Sequence, residues 1–277
     1  MASYGEIGYE VADGIATVTL NRPQARNGYT LTMADELHDA FDTADRDESV
    51  RVVVLAAEGK DFCVGADLSG GGFDVTEGGA AAAPEWNEPA GRCSLRVFAM
   101  DKPVIAVIQG AAVGAGITIT LSADYRLASS DARFGFVFSR RGIYPEGAST
   151  WFLPRLVGLG RALDWMVSGR LFDAAEALEA GLVTRVYERE ELLDRAYELA
   201  RDIAANTAPV SVAVIRRMLY RAGQQESPLP VQRLDSRLIA GLAASPDAVE
   251  GVASFLERRP PVFPGIVPAD LPDDLPG

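Results

Sequence analysis

Two glycine-bearing turns are the first features of this chain whose residue types and spacing can do chemistry. One is Gly110-x-x-x-Gly114-x-Gly116, which follows the apolar run Val104–Ile108 and leads into an expected apolar helix ending at Leu121. The other is Asp61-Phe62-Cys63-Val64-Gly65-Ala66-Asp67-Leu68, which follows the apolar run 52–56. A strand that ends in such a turn and opens a helix presents backbone N–H groups that the helix does not consume. Those groups can stabilise a phosphate or a developing oxyanion. Two turns of this kind can offer two N–H groups to one oxygen.

The phosphate reading resembles the glycine turn of short-chain dehydrogenases, and two observations count against it. That fold begins with the motif, whereas here it lies more than a hundred residues into the chain. That family also uses Tyr-x-x-x-Lys, and the residues four before the two lysines, Lys60 and Lys102, are Ala56 and Phe98. Other reactive side chains are sparse. His38 is the sole histidine and falls in an amphipathic segment far from both turns, where surface or core packing is expected. Cys63 and Cys93 have neither disulfide-framework nor metal-ligand spacing and read as small buried hydrophobes in a reducing, cytoplasmic setting.

Core strands and a few helices must position these turns. Residues 14–20 alternate apolar and polar with β-branched residues and read as a strand, broken by Asn21-Arg22-Pro23. Residues 32–45 place Met33, Leu37, Ala40 and Phe41 at helical spacing, with Thr32 as the expected N-cap. Residues 50–57 and Val104–Ile108 are buried strands; 125–128 and 132–136 are shorter ones. Residues 65–91 are dense in Gly and Ala without a period and read as a long mobile loop, of a length that is usually functional or disordered, with a helix resuming near Arg92. From Thr150 the pattern is mostly helical, clearest over 171–182, 190–205 and 210–221; an irregular Pro-rich tail follows Arg259. The expected division is an α/β core over residues 1–200 and a helical region over 201–277.

Composition bounds the partners. With 277 residues, 48% hydrophobic and 23% charged, the chain is that of a globular α/β enzyme. A net charge of −13 argues against general binding of nucleic acid or anionic membrane. No apolar run reaches membrane-spanning length, and the first residues lack the pattern of a signal peptide.

Several segments, in order, resemble the enoyl-CoA hydratase/isomerase (crotonase) superfamily over roughly residues 10 to 265. Phe62-Cys63-Val64-Gly65-Ala66-Asp67-Leu68 resembles its Phe-x-x-Gly-Ala-Asp-Leu segment, and residues 102–116 resemble its second oxyanion segment. Residues 20–27 resemble the adenine-side CoA loop, 122–128 the strand after the oxyanion helix, 175–183 the helix-to-strand step beyond it, and 250–260 the C-terminal CoA-contacting helix. The resemblance implies a crotonase-like spiral of ββα units with a helical C-terminal region. It implies oxyanion donors at the backbone N–H groups of Ala66 and Ala115. It places CoA contacts at Ala25, Arg26, Gly65, Asp67, Leu68 and Gly114, although Asp67 also reads as a turn cap and Arg26 as a solvated charge. No metal or further cofactor is implied, because coenzyme A arrives as part of an acyl-CoA substrate. The family's usual assembly, a homotrimer or dimer of trimers, is expected through the helical tail.

The chain departs from the hydratase pattern. Hydratases of the family place and activate a water with two glutamates, and the matching positions are Thr118 and Phe138. An acid lies nearby, in Tyr144-Pro145-Glu146-Gly147, expected at the start of a helix. That segment resembles the Pro-Glu-Gly of peroxisomal-type enoyl-CoA isomerases, whose glutamate moves the proton. One carboxyl group suffices to remove a proton at one carbon and return it at another, provided an apolar pocket, here Phe138 and Tyr144, raises its pKa. Two plainer roles compete for Glu146: a helix first-turn acid stabilised by the macrodipole, and an ion-pair partner of Arg140 or Arg141.

Isomerisation of an enoyl-CoA is therefore the leading expectation. The alternatives are hydration through a loop acid (Asp74, Glu77, Glu85 or Glu88), thioester hydrolysis, C–C cleavage, and a CoA-ester binding protein without turnover. The RNA-binding side activity of some relatives does not fit the acidic charge. Trp86 and Phe98 are candidates to line the acyl pocket.

Overall fold

In the computed structural model, residues 4–69, 86–222, 225–242, 245–273 and 275 are described. The expected loop acids Asp74, Glu77 and Glu85 lie outside them. A six-stranded sheet is ordered β1-β2-β3-β4-β6-β9: β1 (Ile7–Ala12), β2 (Ile15–Leu20), β3 (Val52–Ala57), β4 (Val104–Ile108), β6 (Tyr125–Ser129) and β9 (Arg185–Tyr187). A second sheet is ordered β5-β7-β8, from β5 (Ala111–Val113), β7 (Arg133–Gly135) and β8 (Leu171–Asp173). Helices α1 (Leu31–Arg46), α2 (Pro89–Ala99) and the single turn α3 (Ala115–Thr118) fall between the strands. Beyond β7 come α4 (Ser149–Val157), α5 (Leu159–Ser168), α6 (Ala174–Glu179), α7 (Arg189–Asn206), α8 (Pro209–Ala222), α9 (Pro228–Gly241) and α10 (Pro246–Glu257).

From β2 onward the large sheet is parallel, and its middle strands are covered on both faces. That explains why β3 and β4 read as unbroken apolar runs rather than as alternation. On one face Val52, Val54, Ile105, Val107 and Leu127 pack against Leu192, Ala196 and Ala200 of α7. On the other, Val53, Leu55 and Ala106 join Met33, Leu37 and Phe41 of α1, Cys93 and Val97 of α2, and Met100, which follows α2. From β2 onward, parallel order sends the strands' C-terminal ends to one edge, where the glycine turns lie.

The strand β1 was not among the expected elements. It pairs antiparallel with β2 across Asp13-Gly14, whose φ values of 51° and 77° suit a two-residue hairpin turn. The Asp-Gly pair was its sequence signal; an edge strand half-exposed to solvent gives a weak apolar pattern. Thr30, not Thr32, caps α1: its Oγ1 accepts the Met33 N–H at 2.9 Å. The segment 171–182 is not one amphipathic helix. It is β8 followed by the short α6, because Leu171–Asp173 is taken up by pairing with β7.

Candidate active site

The two glycine turns run side by side. The Cys63 N–H donates to the Ala111 carbonyl at 3.0 Å, and the Val113 N–H donates to the Cys63 carbonyl at 3.0 Å. Tyr29 bridges the outer side of the first turn: its N–H donates to the Gly65 carbonyl (2.8 Å) and its carbonyl accepts the Asp67 N–H (2.9 Å). In a parallel bridge the intervening residue directs its own N–H away from that partner, so Ala66 turns its N–H away from Tyr29. The Gly114 N–H is tied to the Gly135 carbonyl at 2.9 Å, and Ala115 follows as the first residue of α3. Among the described residues the Ala66 and Ala115 N–H groups have no acceptor.

Glycine is required where the turns touch. Gly65 has φ +98°, and a Cβ on it would stand 2.9 Å from the Val113 carbonyl oxygen; on Gly116 it would stand 2.1 Å from the Cys63 carbonyl oxygen. Both turns open onto one cavity of about 1060 Å³, lined by Gly65, Ala66, Asp67, Leu68, Gly114 and Ala115. Glu146 and Glu88 also face it. Arg22, Arg26, Arg133, Arg140 and Arg141 stand around it, which gives an otherwise acidic chain a local basic rim suited to an anionic ligand.

Glu146 does not begin a helix. It occupies a turn two residues before the Ala148 cap of α4, so the first-turn macrodipole role does not apply. Nor do the ion pairs among the described residues include Glu146; Arg140 instead donates to the Ser168 carbonyl at 2.8 Å. The carboxyl Oε1 lies 2.6 Å from the Thr118 Oγ1, which lies 3.1 Å from the Ala115 carbonyl oxygen. One hydroxyl hydrogen serves one of these at a time. With Glu146 ionised, Thr118 donates to it; with Glu146 protonated, the carboxyl donates to Thr118, which donates to Ala115. Burial pushes the Glu146 pKa up to about 8, opposed by the Thr118 hydrogen bond and reinforced by the charge of Glu88. Phe138, only 3% exposed, is on the cavity wall as expected, but Tyr144 is 89% exposed and cannot dry the carboxyl.

Glu88 is the candidate loop acid that reaches this place. Its side chain caps α2, accepting the Gly91 N–H at 2.7 Å, and also accepts the Gly147 N–H at 2.7 Å. Thr118 matters as a partner of Glu146, not only as an absent glutamate. Arg22 was missed altogether: it donates to Asp67 (2.9 Å) and to the Gly28 carbonyl (2.7 Å), contacts with no local sequence signal.

Other candidates separate clearly. Asp67 caps its own turn by accepting the Ser69 N–H, and this bond, with those from the Ser69 side chain and Arg22, holds its pKa down to about 2. Arg26, with a positive φ of 52°, pairs with Asp61 at 2.7 Å while keeping 61% of its side chain exposed at the cavity. Ala25 is half-buried in the 3-10 turn Pro23–Ala25 and is not on the cavity wall. Phe98 packs edge-on against Trp151, Phe152 and Tyr220, and neither it nor Trp86 lines the cavity. His38 is exposed on α1, and burial pushes the Cys63 thiol up to about 12. Among the described residues no group of three His, Cys, Asp or Glu side chains is arranged to hold a metal ion, and no helix is long and apolar enough to cross a membrane.

Residues 10–265 match the family model described as enoyl-CoA hydratase/isomerase. The chain is 40% identical over 253 residues to an enoyl-CoA hydratase of Alternaria alternata, covering 91% of this chain and 83% of the relative. It is 34% identical over 262 residues to the 1,2-epoxyphenylacetyl-CoA isomerase of Escherichia coli (strain K12), covering 92% and 97%. The crystal structure of a probable enoyl-CoA hydratase/isomerase from Mycobacterium abscessus superposes with a TM-score of 0.87 at 33% identity, over 94% of this chain and 99% of that one.

Proposed function

The chain belongs to the enoyl-CoA hydratase/isomerase family and is an acyl-CoA-processing enzyme with the crotonase-like α/β fold, and from that premise we propose that it moves the double bond of an enoyl-CoA, with Glu146 carrying the proton. The observation that carries this reading is a part-buried carboxyl on the cavity wall, 2.6 Å from the Thr118 hydroxyl and with its pKa raised by desolvation, while the two positions that would hold the hydratase glutamates are Thr118 and Phe138. In this mechanism the thioester oxygen accepts hydrogen bonds from the Ala66 and Ala115 N–H groups. Ionised Glu146 takes a proton from C2 of a 3-enoyl thioester, and the C2–H electron pair delocalises into a dienolate whose charge rests on that oxygen. The resulting carboxylic acid returns the proton at C4, the double bond settles between C2 and C3, and the carboxylate is regenerated. The fixed N–H groups stabilise the developing charge without reorganising.

Coenzyme A enters as part of the substrate. Its proposed contacts are Arg26, exposed at the cavity, and the turn residues Gly65, Asp67, Leu68 and Gly114; Ala25, off the cavity wall, is the residue of the 3-10 turn that precedes Arg26. The decisive experiment incubates the protein separately with 2-enoyl- and 3-enoyl-CoA thioesters and weighs the products after chromatography. Conversion between the two at unchanged mass is the expected result. A product heavier by one water would reject isomerisation in favour of hydration.

The helical region 201–277 is the proposed assembly surface for a homotrimer or dimer of trimers. Among the described residues α9 buries no side chain, and α10 leaves Val249, Val252, Phe255 and Leu256 between 62% and 81% exposed. An apolar face of this kind marks an interaction surface. Light scattering should return three or six times the 29.5 kDa chain mass; a monomer at micromolar concentration would contradict it.

A further inference from the structure

Glu146 meets another acid across the cavity wall, and the two carboxyl groups are not equivalent. Glu88 spends one oxygen on the Gly91 N–H and the other on the Gly147 N–H, each at 2.7 Å. Both bonds require Glu88 to accept, and one of them comes from the residue next to Glu146. Glu146 instead has a hydroxyl at 2.6 Å that can either donate or accept, and the charge of Glu88 helps to raise its pKa. A negative charge beside a carboxyl group disfavours its ionisation. The hydrogen-bonding pattern makes Glu88 a fixed double acceptor and leaves Glu146 as the carboxyl whose partner can accommodate a proton.

We propose that Glu88 is a positioning residue of this site, which ties the Glu146 turn to the N-terminus of α2 and favours the protonated form of Glu146 in the free enzyme. The inference rests on the reading of Glu146 as proton carrier. It adds that the carrier is a stronger base than an isolated glutamate, because ionising it places a second negative charge beside Glu88. Of the other groups around Glu146, Thr118 from α3 is neutral, burial pushes up the Tyr29 phenol and the thiols of Cys63 and Cys93, so these stay protonated, and the arginines of the cavity rim are not among the groups that shift its pKa.

The test is an infrared titration of the free enzyme from pH 5 to 10, following the protonated-carboxyl band that disappears in Glu146→Gln. The wild type should lose this band with a midpoint of about 8. Glu88→Gln, which keeps an acceptor for one N–H but loses the charge, should lower the midpoint by at least about one unit, a tenfold rise in the ionised-to-protonated ratio at pH 7. Should that variant fail to fold, Glu88→Asp serves: Asp is a strong N-cap, and its shorter side chain withdraws the charge from Glu146, so the midpoint should again fall. An unchanged midpoint in a folded variant, or a wild-type midpoint in the ordinary carboxylate range, overturns the proposal. No substrate is present, so the outcome is separate from that of the isomerase reading. If that reading alone were wrong, the midpoint shift would persist without any change of double-bond position.

Discussion

Glu146→Gln is expected to lower kcat/KM for enoyl-CoA isomerisation by about a thousandfold, within the span that general acid–base groups contribute. Glutamine keeps the size and the hydrogen bond to Thr118 but can neither take nor return a proton. In the wild type, kcat/KM should climb with pH until about 8 and then level, because the base must be ionised and its folded pKa sits near 8. The variant should lose that rise together with the activity. Stability should move the other way. The folded pKa lies above the ordinary glutamate value, so between roughly pH 4.5 and pH 8 the folded state binds more protons than the unfolded chain, and wild-type stability declines as pH rises through that window. Glu146→Gln removes the decline and should be more stable than wild type at pH 8 by roughly 1–3 kcal/mol. Kinetics across pH 5.5–9.5 beside thermal melts at pH 5 and pH 8 check both statements. A variant that retains a tenth or more of wild-type isomerisation would remove Glu146 from the chemistry.

The second large effect concerns backbone atoms, which side-chain deletion cannot reach. Gly116→Ala places a methyl where the Cys63 carbonyl oxygen stands 2.1 Å away, and a hydrogen-bonded carbonyl cannot simply step aside. The second turn must shift away from the first, carrying the Ala115 N–H out of line with that of Ala66. Loss of one oxyanion donor typically costs about 10² to 10³ in kcat, or about 3 kcal/mol. The expected result is a kcat loss of that size in protein whose circular dichroism is unchanged and whose KM moves far less. Gly160→Ala in α5, where an added Cβ meets nothing within 4 Å, is the matched control and should leave kcat untouched. Equal kcat for Gly116→Ala and wild type would show that the two turns do not act on one oxygen.

Much of this site was legible because the features involved are local in the chain. A glycine turn and the apolar run before it are written within a dozen residues, and a strand covered on both faces has no choice but to be apolar throughout, as β3 and β4 are. The amphipathic faces of α1, α7 and α8 follow from spacing alone, and so did their placement within a few residues of the observed ends. Errors arose where a local signal had two outcomes. Thr30 and Thr32 are both plausible caps, and only the extended backbone of Thr30, with its Oγ1 turned to Met33, decides between them. The apolar stretch after Gly114 reads as a longer helix, but α3 ends after one turn as the chain bends toward β6.

By itself the sequence determined the α/β class, the two glycine turns that follow core strands, and the presence of one acid in the Pro145-Glu146-Gly147 segment. What the tertiary structure decided is what that acid is next to. Glu88, Thr118 and Glu146 are separated by 30 and 28 residues and share no pattern. They meet because α2 docks beside α3, so that the α2 cap and the Thr118 side chain both face the turn before α4. The same docking dries the carboxyl and sets a second negative charge beside it, and these two effects raise its pKa. Desolvation and charge proximity are properties of a packed interior, so a residue's type can nominate it as a proton carrier, but only its neighbours in space can tune it.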